Sequence, residues 1–397
     1  MANPSLLPLI IIFSLVPLGP LAIDVYLPSF PKMIESFSAS DSDIRQTISI
    51  YVLALGISQL VAGPISDRKG RKFSAMLGLF LYAAGSLFVV ASSSLPFLYV
   101  ARALQGIGAS FTMITAMAWI RDNYEGETAG KWLSYMGGVT SAIPTIAPLI
   151  GSGLALLWGW TGGFYLMAAL AILLFALSFI GLESKKVSKT TVDIEDTKAL
   201  KCNVRDIFSN RTFITYALAN MLSFGGILTY ISVAPIVAMT EGDFSQVQFS
   251  IMFGLIGGMQ IVASLIAPKL MKAWGRRSTV RFGSGLIVLG GIGLLVIPSG
   301  ATYAFFAVAA LGAAGFSLMS GSATSLALEP FKYCAGLATS IDGFLRMIGG
   351  ALLVALSGGL GVSGMHTLAA VLLLSFISVL LITVDVRKAR CSGMART

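Results

Sequence analysis

The sequence has little charge, one histidine and few cysteines, and each shortage excludes a class of protein. Only 11% of its 397 residues are charged, whereas a soluble domain carries about 25%. The single histidine, His366, and three cysteines leave no constellation with metal-ligand spacing and no clustered catalytic set. We therefore expect no metal, no cofactor and no enzymatic activity.

Long apolar runs dominate what is present. Hydrophobic residues make up 56% of the chain, its mean hydropathy is +0.85, and 43 glycines are spread through the apolar stretches. A membrane-spanning helix needs about 20 mainly apolar residues, and glycines let such helices pack closely. The pattern predicts an all-α polytopic membrane protein with twelve transmembrane helices, at 5–28, 45–66, 73–93, 96–120, 130–157, 161–182, 211–239, 245–269, 279–298, 301–328, 335–358 and 363–385.

One charged stretch divides these spans into two groups of six. Residues 183–210 have no apolar period and read as a cytoplasmic linker. We therefore predict an N-terminal six-helix bundle at 1–182 and a C-terminal six-helix bundle at 211–397, which ends in a short cytoplasmic tail.

The distribution of lysine and arginine sets the predicted orientation. With both termini in the cytoplasm, 23 of the 27 basic residues fall in cytoplasmic segments, as the positive-inside rule requires. The net charge of +9 is thus explained by topology, and no nucleic-acid partner is expected. The cysteines Cys202, Cys334 and Cys391 fall in or beside cytoplasmic segments, so we expect no disulfide framework.

The two halves repeat one turn. GPISDRKGRK (63–72) lies between spans two and three, and KLMKAWGRRS (269–278) lies between spans eight and nine. Gly70-Arg71-Lys72 and Gly275-Arg276-Arg277 are 205 residues apart (275 − 70). This repeat favours two related bundles around a central site near the midplane, as in many secondary transporters.

Four stretches make the chain resemble the twelve-span drug:proton antiporters of the major facilitator superfamily. GPISDRKGRK is similar to the signature loop after span two, YVARALQGIGAS (99–110) to the fourth-span motif, and IPTIAPLIGSGL (143–154) to the fifth-span antiporter motif, with Ala147-Pro148 where Gly-Pro is usual. LGPLAIDVYLPSFP (18–31), with WIRDNY (119–124), resembles the branch named for bicyclomycin and chloramphenicol resistance (Bcr/CflA).

The resemblance implies two conformational devices. A latch in the loop after span two closes the cytoplasmic side; its residues are Gly63, Asp67, Arg68, Gly70, Arg71 and Lys72. The alternative is a basic loop that only sets topology. A kink in span five, at Pro144, Pro148 and Gly151, limits leak between states. The alternative there is ordinary close helix packing.

Asp24 is the one charged residue in the first apolar run. It follows Pro17, Gly19 and Pro20, which bend a helix and expose polar backbone. A neutral carboxyl group tolerates burial, and its anion attracts a cationic drug. We therefore predict that Asp24 is the proton and substrate carboxylate. The alternative is an interfacial aspartate that caps the end of span one.

Arg102 is a second ionisable residue inside a span, with Gln105 beside it on the same helix. A buried guanidinium needs a partner in the bundle interior. The resemblance implies that Arg102 couples proton movement to substrate. The alternative is that its side chain snorkels to the nearby outer interface.

Asp342 and Arg346 in span eleven are four residues apart, so they can pair along one helix face. They are either a structural pair or part of a substrate site. Other polar and aromatic residues could line a cavity with Asp24, Gln105, Asp342 and Arg346: Tyr26, Tyr51, Tyr135, Asn220, Phe224, Tyr230 and Gln260.

The favoured function is proton-coupled multidrug efflux by alternating access, in which 1–182 rocks against 211–397. The nearest match to a nucleotide-binding loop, EGETAGKW (125–132), lacks the first Gly and the final Ser/Thr. The energy must therefore come from an ion gradient. We expect a monomer in the bacterial inner membrane, with a small molecule and protons as its partners. The alternatives are export of an anionic metabolite or siderophore on the same fold and, from a different class, a membrane-embedded enzyme or a channel.

Overall fold

The computed structural model describes residues 6–124, 126–183, 204–298, 300–358 and 363–391, and within them it contains helices and no strands. The first half comprises short helices and then long ones: α1 (Leu6–Leu15), α2 (Leu18–Asp24), α3 (Phe30–Phe37), α4 (Asp41–Lys69), α5 (Arg71–Val90), α6 (Leu95–Asn123), α7 (Gly126–Trp158) and α8 (Gly162–Gly181).

The second half continues the pattern after a six-residue helix. Its helices are α9 (Val204–Ser209), α10 (Arg211–Pro235), α11 (Gln246–Trp274), α12 (Arg276–Val296), α13 (Thr302–Leu328), α14 (Ala335–Gly358) and α15 (Gly364–Cys391). Three short 3-10 segments and one π-helical segment, Ile236–Thr240, connect or extend these helices.

Eleven stretches of the described residues are long and apolar enough to cross a membrane. One of them, Lys131–Gly181, contains most of α7 and all of α8, separated by the 3-10 turn Gly159–Thr161. Its 51 residues would extend roughly 76 Å as one helix, far more than a bilayer core of about 30 Å. The predicted all-α fold with twelve spanning helices is confirmed once this stretch is counted as two.

Contacts divide the chain into two compact units. The N-terminal unit is Met1–Lys189 with Phe244–Gly257, and the C-terminal unit is Thr190–Asp243 with Gly258–Thr397. The first turns of α11 therefore belong with the N-terminal helices. In both units, large apolar side chains such as Ile180 and Val296 point outwards and are 78% exposed, which is the surface that a lipid-facing helix requires.

The first span is longer than predicted. We predicted the span at 5–28, with continuation past Pro28 and Pro31 as the alternative, and the helical stretch does continue from Leu6 to Phe37. Pro28 and Pro31 stand at the first turns of a 3-10 helix and of α3, where a proline's missing N–H has no partner to lose. Asp24 is therefore about 27 Å from the start of this stretch and about 20 Å from its end.

The repeated turn has the same backbone in both halves. Gly70 has φ 91° and ψ 160°, and Gly275 has φ 82° and ψ 156°. This region of backbone space is essentially restricted to glycine. Each glycine is followed at once by a helix, α5 or α12, that starts with an arginine.

Glycines also set the distance between the helices that follow these turns. A methyl group on Gly78 would lie 2.9 Å from the carbonyl oxygen of Gly108, and one on Gly283 would lie 2.6 Å from that of Gly315. The helix pairs α5/α6 and α12/α13 therefore approach each other through matching glycines. The offset from Gly78 to Gly283 is again 205 residues.

One expectation about cysteine is wrong. Cys334, at the end of the 3-10 turn Glu329–Cys334, takes part in a disulfide bond. The prediction rested on the redox state of the cytoplasm. That argument concerns whether a disulfide persists, and it does not tell which sulfur atoms the fold brings together.

Candidate functional site

The site in the N-terminal unit is built on the backbone of α2. Three side chains from other helices donate hydrogen bonds to its carbonyl groups: Tyr82 to Leu18 (2.8 Å), Tyr51 to Gly19 (2.8 Å) and Arg102 to Ala22 (2.9 Å). Pro20 and the break at Val25–Tyr26 interrupt the first span. Polar backbone in a membrane must find partners inside the protein, and these side chains supply them.

Arg102 is completely buried at the centre of this site. Its guanidinium also donates hydrogen bonds to the side chain of Gln105, to the carbonyl oxygen of Thr47 (3.4 Å) and to the hydroxyl of Tyr26 (3.4 Å). The side chain therefore turns inwards, and the alternative that it snorkels to the interface does not describe its position.

Aromatic rings enclose the same guanidinium. Its Cζ atom lies 4.7 Å from the ring centre of Tyr26, 4.6 Å from that of Tyr51 and 5.9 Å from that of Phe164. A cation over ring faces is stabilised by the ring quadrupole, most strongly where water is excluded. We call Arg102, Gln105, Tyr26, Tyr51 and Phe164 the Arg102 cage.

Further hydrogen bonds fix the members of the cage. Tyr26 and Thr47 share a hydrogen bond of 2.8 Å between their hydroxyl groups. Gln105 donates to the hydroxyl of Ser86 at 2.8 Å and to the sulfur of Met167 at 3.3 Å. The Arg102 cage thus ties the first span to α4, α5, α6 and α8.

Asp24 lies beside this cage and is differently placed. It is the last residue of α2 and is 2% exposed. It is close enough to Tyr26 and Tyr51 to interact with them electrostatically. Yet its Oδ1 atom is buried with no hydrogen-bond partner in the described protein, and none of the hydrogen bonds found for Arg102 reaches it. Such an oxygen is rare, and one in a membrane span indicates a functional group.

Glycines hold the backbone next to Asp24. A methyl group on Gly151 of α7 would lie 1.8 Å from the carbonyl oxygen of Val25, and one on Gly163 of α8 would lie 3.3 Å from the Val25 side chain. Two helices therefore press against the residue that follows Asp24. Gly151, a residue of the fifth-span motif, therefore lies directly against the backbone next to Asp24.

The prolines of that motif lie within a continuous helix. α7 runs from Gly126 to Trp158 with Pro144 and Pro148 inside it. The carbonyl oxygen of Pro148 accepts a hydrogen bond of 2.9 Å from Ser250, in the part of α11 that belongs to the N-terminal unit. Thr145 packs against Gly254 and Gly257 of the same segment.

The predicted latch contains an ion network within the N-terminal unit. Arg71 donates hydrogen bonds to both carboxylate oxygens of Asp122 (2.6 and 3.2 Å), to Asp67 (2.6 Å) and to Ser66 (2.9 Å). Lys72 donates to the carbonyl oxygen of Phe179 at 2.6 Å. These bonds join the ends of α4, α6 and α8 at the start of α5. Arg68 and Asp67 are exposed, Gly70 forms the turn, and Gly63 lies within α4.

Several residues predicted for the second half, among them Asn220, Asp342 and Arg346, lie close together. Asn220 of α10 donates a hydrogen bond of 2.7 Å to Thr324 of α13. Both side chains are within hydrogen-bonding range of Asp342 on α14, and Arg346 interacts electrostatically with the same carboxyl group. The Arg346 guanidinium lies 5.8 Å from the ring centre of Phe224.

Three other predicted cavity residues have different surroundings. Tyr230 is buried and stacks on Phe305, with ring centres 6.4 Å apart. Tyr135 is half exposed and packs against Trp132 with a centre-to-centre distance of 5.7 Å. Gln260 is partly buried on α11. Their assignment to a substrate cavity stays a prediction.

Sequence reasoning missed several partners. Asp122 carried a signal, because an acid in the last turn of a helix is unfavourable beside the dipole's negative end and needs a cation. Thr47, Ser86 and Thr324 carried none, since small hydroxyl residues are common in spanning helices and often bond only their own backbone. Among the described residues, no group of three or more His, Cys, Asp or Glu could hold a metal ion.

Comparison with known proteins agrees with this architecture. Residues 12–354 match the family model of the Major Facilitator Superfamily. The chain is 32% identical over 362 residues to the multidrug resistance protein MdtL of Shewanella oneidensis, which covers 91% of this chain and 90% of that protein. It is 32% identical over 372 residues to MdtL of Salmonella paratyphi C, with 93% of each chain covered.

Solved structures share the fold at low identity. A D-xylose–proton symporter superposes with a TM-score of 0.77 at 16% identity, covering 95% of this chain and 96% of that one. A bacterial homologue of the human lysosomal transporter Spinster gives a TM-score of 0.79 at 14% identity, with 96% of each chain covered. The predicted family is confirmed: this chain is a multi-pass membrane transporter, not an enzyme, and it belongs to the Major Facilitator Superfamily.

Proposed function

We propose that this protein is a proton-coupled multidrug efflux antiporter that exports small amphiphilic drugs by alternating access. The observation that carries the proposal is the carboxyl group of Asp24, buried in the first span with an unpartnered oxygen beside the Arg102 cage. The relatives named as multidrug resistance proteins match over nine-tenths of the chain. These two observations point to the same class of cargo and to a proton as the exchanged ion.

The role of Asp24 follows from its surroundings. Its neutral form can stay buried without a counterion, whereas its anion can hold a cationic drug. Loading a proton on one side of the membrane and a drug on the other then gives exchange. A proton crossing at 100 mV supplies about 2.3 kcal/mol from the potential alone. Arg102 acts by holding α2 in place, since its hydrogen bonds go to that backbone and to its own cage.

The alternative of an anionic cargo is less well supported. Arg102 would have to offer donors to the anion, but its guanidinium bonds Gln105, Thr47, Tyr26 and Ala22 and is enclosed by rings. Arg346 stays available for such a role. The two cargoes can be separated in the same transport experiment.

The test is proton movement in sealed proteoliposomes with a pH dye inside. Lipophilic cations such as tetraphenylphosphonium, neutral antibiotics and carboxylate-rich anions are added in turn. We expect the cations or neutral drugs to trigger proton flux in the parent and none in Asp24→Asn. Glu35→Gln, an exposed acid on α3, is the matched control and should transport normally. Flux only with the anions would replace the proposal by the anion exporter, and flux that persists in Asp24→Asn would move the proton site elsewhere.

A second pair of variants tests whether the position of Asp24 matters. Gly151→Ala pushes a methyl group into the carbonyl oxygen of Val25, whereas Gly153→Ala meets nothing within 4 Å. We expect Gly151→Ala to lower the transport rate at least tenfold, since a displacement of about 1 Å can cost about 100-fold in rate at a reacting group. Gly153→Ala should transport like the parent. Equal rates in both variants would show that Gly151 does not position the carboxyl group.

The proposal also covers the membrane location, the topology and the oligomeric state of the protein. We place the protein in the bacterial inner membrane as a monomer, with both termini in the cytoplasm and the bundles 1–182 and 211–397 joined by the linker 183–210. Support comes from the 23 of 27 basic residues that this orientation puts inside. The test is to fuse, after Thr397, a fluorescent protein that folds only in the cytoplasm. We expect this fusion to fluoresce, and a dark fusion would indicate the opposite orientation.

A further inference from the structure

The C-terminal unit contains a buried polar group that the proposed mechanism does not use. We call Asn220, Thr324, Asp342 and Arg346 the Asp342 cluster. Asn220 is 0% and Asp342 3% exposed, and the helices that carry the cluster pack on one another, α10 against both α13 and α14. Asn220 lies about 13 Å along α10 from its first residue, well inside the span. Ionisable residues at such depth are costly and rarely present without a role.

The hydrogen bonds of this cluster are incomplete. The Oδ1 atoms of both Asp342 and Asn220, and the Nε atom of Arg346, are buried with no partner in the described protein. One N–H group of the Asn220 amide donates a hydrogen bond to Thr324. The Oδ1 atoms of Asp342 and Asn220 are therefore two acceptors on neighbouring side chains that both lack a donor. A protonated carboxyl group supplies one O–H donor and keeps one acceptor, so a single proton on Asp342 would relieve this shortage.

Few charged groups lie near the Asp342 carboxyl group. Arg346, one turn after Asp342, is the cation that interacts with its carboxyl group. The other ionisable side chains described on the elements packed against α14 lie mostly near the ends of those elements: Arg211 on α10, Tyr303 on α13, Glu329 in the turn before α14, and His366 on α15. Tyr216 and Tyr230 on α10 lie between these ends. The charge of the Asp342 cluster is thus set by Asp342 and Arg346.

We propose that the Asp342 cluster is a second proton-exchange site, which controls the charge that a cationic substrate meets in the C-terminal unit. The step is the transfer of one proton from a hydronium ion to the Asp342 carboxylate: one O–H bond of the hydronium breaks, one O–H bond to Asp342 forms, and a water molecule is left. This inference rests on the proposed antiport and adds a site to it.

The net charge of the Asp342 cluster determines how strongly a cation binds beside it. With Asp342 ionised, its charge and that of Arg346 cancel, and a lipophilic cation beside Phe224 meets a neutral surface. With Asp342 protonated, Arg346 keeps its charge, since a guanidinium is always protonated, and the cluster becomes +1. Like charges repel strongly where little water screens them. Proton uptake at Asp342 therefore expels the cation, and cation binding favours proton release.

The first experiment asks whether Asp342 titrates, and it needs no substrate. Reconstituted protein is stepped in pH while infrared difference spectra follow the carbonyl stretch of protonated carboxyl groups. We expect one component to disappear in Asp342→Asn and a different one in Asp24→Asn, with Glu35→Gln unchanged. A spectrum of Asp342→Asn identical to that of the parent overturns the inference. If Asp342→Asn does not fold, Thr324→Val removes only a hydroxyl group near the carboxyl and must shift its component, and an unshifted component also overturns it.

The second experiment asks whether this proton is coupled. Tetraphenylphosphonium is added to weakly buffered purified protein, and the protons released per cation bound are counted. We expect Asp342→Asn to halve the number found for the parent. Arg346→Gln should bind the cation more tightly than the parent at both low and high pH, because the charge of the cluster then changes from −1 to 0, not from 0 to +1, on proton uptake. An unchanged proton count in Asp342→Asn overturns the inference while the antiport stands. Titration of Asp342 without any transport in the proteoliposomes overturns the proposed function instead.

Discussion

In the N-terminal unit the buried cation Arg102 lies on α6, enclosed by aromatic rings and bonded to the backbone of α2. At offsets of 205 and 206 the C-terminal unit has Ala307 and Val308 on α13. Asp24 has Tyr230 as its counterpart at an offset of 206, stacked on Phe305. The buried acid of the second half, Asp342, is instead on α14 together with Arg346, and both have an unpaired buried atom. The two units thus share the positions of their turns but not the positions of their buried charged residues.

This difference shows which features a repeated bundle must keep. The glycine turns and the glycine contacts between neighbouring helices are fixed by backbone geometry, which any side chain beyond hydrogen would disturb. Interior polar groups are fixed only by their partners, so each half can arrange its own. The N-terminal unit has a saturated cation and an isolated acid, whereas the C-terminal unit has an acid and a cation on one helix.

The largest expected difference between the halves is at the buried cation. Arg102→Met removes the donors to Ala22, Thr47, Gln105 and Tyr26 and leaves buried acceptors unpaired. We expect the free energy of unfolding to fall by roughly 3–5 kcal/mol. Val308→Leu at the matching place should cost about 1 kcal/mol. Thermal unfolding in detergent measures both, and equal losses would show that the cage does not stabilise the fold.

The second pair compares helix contacts. A methyl group on Gly85 would lie 2.6 Å from the backbone nitrogen of Gln105. The glycine 205 residues later is Gly290, and a methyl group there would lie 3.2 Å from the backbone nitrogen of Gly312. Gly85→Ala should cost about 1–3 kcal/mol through overpacking. Gly290→Ala should cost less than about 1 kcal/mol, since small shifts relieve its contact. Melting temperatures in one detergent decide this, and a larger loss for Gly290→Ala would contradict the comparison.

The third pair compares the arginines after the turns. Arg71 bonds Asp122, Asp67 and Ser66 and is 14% exposed, whereas Arg276 bonds Glu329 at 3.2 Å and Ser325 at 3.1 Å and is 30% exposed. Arg71→Gln should therefore cost about 2 kcal/mol, and Arg276→Gln at most about 1 kcal/mol. High salt should weaken the second effect more, because its charges are better screened. Unfolding at two salt concentrations tests both statements.

The smallest difference is expected at the turns themselves. Gly70→Ala and Gly275→Ala place a methyl group in a backbone region that essentially only glycine occupies. Each should cost about 1–3 kcal/mol, and the two losses should agree within about 0.5 kcal/mol. Unequal losses would mean that neighbouring contacts, not the backbone, determine the cost.

Hydropathy was sufficient to predict the twelve helices, and a recurring Gly-Arg pattern predicted the repeated turn, because both depend on local sequence. The family was predicted from the resemblance of four short motifs. The end of the first span was misplaced, since the sequence does not tell whether Pro28 and Pro31 stop a helix or start one. Asp24 and Arg102 were singled out as charges in apolar runs. Most of their surroundings were not predicted. Arg102 donates a hydrogen bond to the backbone of α2 and none to the Asp24 carboxyl group, and this depends on how helices distant in the sequence pack.

The turns at Gly70 and Gly275 also have a meaning for the history of the chain. Closely similar backbone angles, a following arginine and further glycines at the same offset of 205 residues are the pattern that a tandem duplication of one ancestral six-helix gene would leave. After such a duplication, each copy can lose features that the other copy retains. The first half now contains the caged Arg102, whereas the second contains Asp342 and Arg346 on one helix.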